Sequence, residues 1–177
     1  MKVFAKCALG LVLALAAAPA WAGEQDCLQL GDATLGASLV DQFLFEEGLA
    51  ERPDPYLDSL QSAMDGCIDA HSVSDDDALL FTELNIGYVM KVEVAKRLTA
   101  AGVDVASLDR IMAPKIPSVS TTFDQMFDEL GPEFDQQVER MIETSGLDAT
   151  YAESLIGGYT GAFHSSYVSK MAWDARK

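Results

Sequence analysis

From Asp32 to the end of the chain, apolar side chains recur at intervals of three and four residues, and alternating apolar–polar runs are nearly absent. That spacing follows the helical period of 3.6, whereas a half-buried strand needs a period of two. The chain therefore reads as all-α, an irregular bundle of about seven helices. At 177 residues, 49% of them apolar, it has the length of one domain and too much apolar surface to remain unfolded.

Glycines and prolines fall where such helices should end. The first helix is expected from Asp32, as N-cap, to about Ala50, with Leu35, Leu39, Val40 and Phe43 on its buried face. Arg52-Pro53-Asp54-Pro55 makes a turn in which Asp54 caps a second helix, running to about Ile68 and burying Leu57, Leu60, Met64 and Cys67. Ser74 is expected to accept from the backbone N–H of Asp77 and so cap a long third helix. Asp75, Asp76 and Asp77 then sit on its positive end, and Gly102 ends it after Ala100. A short helix from Val105 to Met112 precedes the linker 113–119, whose Pro114 and Pro117 forbid regular helix and mark a candidate subdomain break. Ser120 or Thr121 should cap a helix carrying Phe123, Met126, Phe127 and Leu130. After Gly131-Pro132, another runs to about Thr144 with Phe134, Val138, Met141 and Ile142, closed by Gly146.

The last helix starts at Asp148 and carries the most regular pattern in the chain: Tyr151, Leu155, Tyr159, Phe163, Tyr167 and Met171, each four apart. A four-residue step turns about 40° around a helix of 3.6 residues per turn, so this stripe wraps rather than lining one groove. Its first reading is the core seam of the second half. Its functional reading is an interaction or pocket face formed by Tyr151, Leu155, Tyr159, Phe163 and Tyr167. Gly157, Gly158 and Gly161 beside it allow close approach of another helix, and with no strand before them they do not form a phosphate cradle.

Nothing in the sequence assembles a catalytic site. His71-Ser72 and His164-Ser165-Ser166 lack a nucleophile elbow, and adjacent helical residues do not face one another. The Asp75–Asp77 triplet with His71 lacks the glycine and distal glutamate of a calcium loop. No cofactor or metal is therefore expected, and the function is read as non-catalytic.

Residues 1–22 give the compartment. Lys2 and Lys6 precede the apolar stretch Cys7–Ala18, and Pro19 comes before Ala20-Trp21-Ala22, the pattern of a cleavable secretory signal. The stretch is short of the roughly 20 apolar residues that span a bilayer. The remainder, 23–177, is expected to be a single helical domain, soluble in the periplasm or outside the cell. It keeps two cysteines, Cys27 and Cys67, which in an oxidising compartment read as one structural disulfide tying an N-terminal helical hairpin.

Twenty-eight Asp and Glu against twelve Lys and Arg give a net charge of −16. That excludes a phosphate-neutralising nucleic-acid surface and disfavours anionic membranes. It favours a basic protein partner, whose association the field accelerates, or a saline habitat.

Two segments echo one another. Leu35-Gly36-Ala37-Ser38-Leu39 leads through Gly48-Leu49 to Asp54-Pro55-Tyr56-Leu57, and Ile86-Gly87-Tyr88-Val89-Met90 leads through Gly102-Val103 to Asp104 and Leu108. This pattern resembles the helical N-terminal dimerisation region of Mip-like FK506-binding prolyl isomerases, although no β-rich isomerase domain follows here. At the level of class, the chain is also similar to small exported immunity proteins. Both resemblances imply an exported protein-interaction module of immunity, chaperone or dimerisation type. Its partner would be another exported protein, with a second copy of the chain as the alternative. The competing expectation is a periplasmic small-ligand carrier with a pocket beside Tyr151, Tyr159 and Phe163.

Overall fold

The structure, a computed structural model, describes Glu24, Cys27, Leu28, residues 33–45 and residues 55–176. Among them are seven α-helices and no strand: α1 Ala33–Phe45, α2 Pro55–His71, α3 Asp75–Ala100, α4 Val105–Met112, α5 Phe123–Asp128, α6 Gly131–Ser145 and α7 Ala149–Asp174. A 3-10 turn, Ala113–Lys115, joins α4 to the approach to α5. The expected leader 1–22, the expected cap at Asp32, the expected end of the first helix near Ala50 and the expected turn at 52–54 lie outside the described residues.

The two longest helices, α3 and α7, have 26 residues each and form the antiparallel axis of the bundle. Phe81 of α3 meets Trp173 of α7, Gly87 meets Ser166, and Lys91 meets Phe163. The crossing is close because Gly87 has no side chain: a Cβ there would stand 2.9 Å from the Ser166 backbone nitrogen. Burial is concentrated in two clusters along this axis. One gathers Val94, Leu98, Leu108, Met112, Met126, Leu155 and Tyr159, with Ile116 of the linker among them, so residues from both sides of the candidate break share it. The other gathers Leu28, Leu39, Met64, Cys67, Phe81 and Val89.

Cys27 and Cys67 are disulfide-bonded, with their Cα atoms 5.9 Å apart. The bond ties the segment before α1 to the last turns of α2. Closing 40 residues into a loop stabilises by about 4 kcal/mol in the chain-entropy account.

Helix ends follow the expected punctuation, with two corrections, and one side chain expected on a buried face lies outside it. Gly102 and Gly146 leave α3 and α6 in the left-handed region, at φ +81° and +69°, which a glycine enters without steric penalty. Asp148 accepts from the Tyr151 backbone N–H at 3.2 Å, as its position before α7 implies. Ser74 occupies the N-cap of α3, but its hydroxyl donates to the Asp77 carboxylate at 2.8 Å, and the Asp77 N–H donates to the Ser74 carbonyl instead. The cap of α5 is Thr122 rather than Ser120 or Thr121, because Gln125 three residues on closes a reciprocal capping box with it. Phe43, expected on the buried face of α1, is 54% exposed. The covered face of α1 continues from Val40 to Leu44, whose methyls lie against Gly158, and this turns Phe43 outward.

Candidate functional site

The aromatic stripe of α7 divides as its drift requires. Leu155, Tyr159 and Phe163 are at most 2% exposed and belong to the core. Only the ends reach the surface, where Tyr151 stacks on Phe45 and Tyr167 on Phe163. The stripe is therefore no continuous interaction face. Tyr159 and Phe163 are packed into the core beside the expected pocket, and the cavities between α1 and α2, α2 and α3, and α6 and α7 are lined by other residues.

At its centre Tyr159 reaches a polar chain that spacing alone does not reveal. Its hydroxyl donates to Asp109 Oδ1 of α4 at 2.6 Å, and Asp109 Oδ2 accepts from Lys91 Nζ of α3 at 3.2 Å. Lys91 Nζ also stands 4.7 Å over the Phe163 ring. Burial, with the Asp109 carboxylate beside it, holds the Tyr159 phenol far above the usual tyrosine range. A phenol held protonated and enclosed in this way joins three helices. It offers no open face to a substrate.

The open chemistry lies on the other side of α7. A groove of about 330 Å³ runs between α6 and α7, walled at one end by Phe127 of α5. Its lining from α6 is Phe134, Val138 and Ile142, one helical row at i, i+4 and i+8; α7 contributes Ile156, Gly157 and Thr160. The row sits where it does because Phe134 and Met141 are drawn into the core, which leaves Val138 and Ile142 half-buried at the edge. Gly157 is exposed, and a Cβ built there meets no atom within 4 Å, so the backbone of α7 is bare at that point. The neighbouring Gly158 is instead covered by Leu44.

Phe127 continues the apolar wall away from the groove. Its ring lies 6.4 Å from Phe134 and 5.9 Å from Phe123, and Phe123 lies 5.8 Å from His164. Phe123 and Phe127 are 38% and 50% exposed. His164 is fixed by its Nε2, 2.8 Å from the Thr121 carbonyl, so it serves this ridge as a packed ring.

The rim is acidic. Asp135, Glu139 and Glu153 all line the groove and are exposed. Residues 120–156 carry nine Asp and Glu and a single base, Arg140, which donates to Gln137. Lys91, Lys96, Arg97, Arg110, Lys170 and Arg176 each pair with a carboxylate, and none of those carboxylates is on this rim. The signal for the groove was present in the sequence as Phe134, Val138 and Ile142 flanked by Asp135 and Glu139. Which of them stay uncovered depends on where α5 and α7 pack.

Among the described residues neither histidine is hydrogen-bonded to a nucleophile. His71 lies 5.7 Å from Phe81, ring to ring, and the acidic triplet beside it serves the start of α3. No group of three or more His, Cys, Asp or Glu side chains able to hold a metal ion occurs among the described residues. No described helix is long and apolar enough to cross a membrane. No protein-family model, curated protein or solved structure matches this chain.

Proposed function

We propose that this chain is an exported, non-catalytic interaction protein, and that its α6/α7 groove takes up a cationic amphipathic segment of another exported protein. The observation that carries the reading is an apolar floor framed by three carboxylates, Asp135, Glu139 and Glu153, that form no ion pair among the described residues. An apolar stripe on the partner buries against Val138, Ile142 and Ile156. Its Lys or Arg heads meet the rim and the exposed faces of Phe123 and Phe127, which attract cations through their ring quadrupoles. The bare backbone at Gly157 lets the partner approach closely. A Cys27–Cys67 bond supports export, since disulfides persist in oxidising compartments. Immunity, chaperone-like and dimerisation roles are all uses of one such surface, and the net charge of −16 favours a foreign basic partner over a second copy.

The test is a titration of the purified protein with a labelled amphipathic Leu/Lys peptide of about 14 residues, four helical turns. Binding should weaken steeply as salt rises. Phe127→Lys, which removes the wall and adds repulsion, should weaken it at least tenfold, and Gly157→Leu, which fills the floor, should do the same with the fold intact. Binding that ignores both substitutions, or equal binding of a Leu/Glu peptide of the same pattern, overturns the reading.

A further inference from the structure

A second apolar groove, of about 550 Å³, lies between α2 and α3, at the opposite end of the α3–α7 axis. The chain turns at Ser72–Ser74 between the two helices, and each offers a row of side chains to the space between them. Leu60, Met64 and Ile68 come from α2, with Ala78, Thr82 and Ile86 facing them from α3. Only the inner side of α2 is packed: Met64 and Cys67 are buried with Phe81 and Val89, while Leu60, Ile68 and Ile86 remain half-covered at the groove.

The lip of this groove is Leu79, 72% exposed, the highest value among the exposed large apolar side chains of the described residues. On the same face of α3, Asp76 stands three residues before it and Glu83 four after it. Across the groove the α2 rim carries Asp65, followed by Asp69 one turn on. None of these four carboxylates forms an ion pair among the described residues. Residues 55–90 hold seven Asp and Glu and no Lys or Arg at all. An isolated exposed leucine needs no explanation. One set between two unpaired acids on the lip of an apolar groove, in a stretch without Lys or Arg, matches a ligand of complementary make-up.

From this juxtaposition we infer that the α2/α3 groove is a second docking site for the same class of ligand, a cationic amphipathic protein segment with its apolar stripe on Leu60, Leu79 and Ile86. The ligand class rests on the function proposed above, but the site is built from different residues. A second copy of the chain is the poorer occupant, because it brings another −16 to a rim that is already anionic. Thr160, on the floor of the first groove, and Trp173, which packs on Phe81 beside the second, are 13 positions apart on α7. That separates the grooves by about 20 Å along the axis.

Calorimetric titration with the Leu/Lys peptide decides between the outcomes. The expected stoichiometry is two peptides per chain, falling to one in Leu79→Lys, one in Phe127→Lys and none in the double variant. Leu79 makes too little contact for its replacement to unfold the protein, and an unchanged melting temperature in Leu79→Lys verifies this. A stoichiometry of one that only Phe127→Lys abolishes overturns the second site and leaves the proposed function standing. A stoichiometry of one that only Leu79→Lys abolishes does the reverse. Peptide-free protein that sediments as a dimer, and as a monomer once Leu79 is replaced by lysine, identifies a second copy as the occupant and overturns the inference.

Discussion

Tyr159 links chemistry to stability through one atom. Its ring is core, yet its hydroxyl must find a partner, and Asp109, 50 residues earlier, supplies it at 2.6 Å. A hydrogen bond to a charged acceptor contributes about 1.5–3 kcal/mol, and Tyr159→Phe should lose that much at neutral pH by denaturant unfolding. The pH dependence carries a sign. Because the folded protein holds the phenol above its unfolded pKa of about 10, the contribution is complete below that pH. It is lost as pH rises beyond it, since the unfolded chain then ionises first. The gap between wild type and Tyr159→Phe should therefore be constant from neutral pH to about 9 and narrow above about 10. A gap independent of pH throughout would show that the phenol is not held protonated by its surroundings. The four-residue stripe was legible in the sequence, and so was its drift around the helix. Its depth was not, because the partners of Tyr159 and Phe163, Asp109 and Lys91, come from other helices and leave no trace in local spacing.

At the scale of elements, two glycines in ordinary helical positions predict opposite outcomes. Gly87 lies where α3 crosses α7, and a Cβ there would press on the Ser166 backbone, which cannot rotate away. Gly157 faces open space on α7. Glycine inside a helix costs about 1 kcal/mol relative to alanine, so Gly157→Ala should raise stability by up to that amount. Gly87→Ala should instead lower it by about 1–3 kcal/mol, as overpacking outweighs propensity. Thermal unfolding of the two variants checks the contrast, and a shared sign would mean that α3 and α7 are less closely set than the crossing requires. The same distinction marks what elements reveal in sequence. Helix ends are local events, so Gly102, Gly146 and Asp148 gave them correctly. Even the true cap of α5 was written as Thr122 with Gln125 three residues on, but Ser120 and Thr121 compete for the role until the fold decides. Thr121 is turned inward there, its carbonyl engaged by His164. Grooves are non-local. They are the faces left over once α2, α6 and α7 have packed, and composition could announce only that such faces would be ringed with acid.

Across the whole molecule the charge is partitioned rather than spread. Residues 55–90 carry seven Asp and Glu and no Lys or Arg, and residues 120–156 carry nine Asp and Glu and one Arg. Residues 91–115, the second half of α3 with α4, carry five bases against three acids. Four of those bases are already paired, with Asp109, Glu93, Asp41 and Asp104. The central block is thus spent on internal pairs, and the two acidic blocks that line the grooves repel one another and themselves. A folded chain of this length has a radius of gyration of about 16 Å. The Debye length is about 30 Å in 10 mM salt and about 3 Å in 1 M, so repulsion extends over the entire molecule in dilute buffer and only between neighbours in brine. Raising sodium chloride from about 10 mM to about 0.5 M should therefore increase the melting temperature by about 2–4 °C, the response to roughly 1 kcal/mol in a protein of this size. Over the same range affinity for the Leu/Lys peptide should fall, because the charges that strain the free fold are the ones a cationic segment neutralises. Opposite signs in the two readouts, from one salt series, tie the acidity to a partner. A melting temperature that is flat or falls with salt would mean that the acidic blocks do not oppose the folded state.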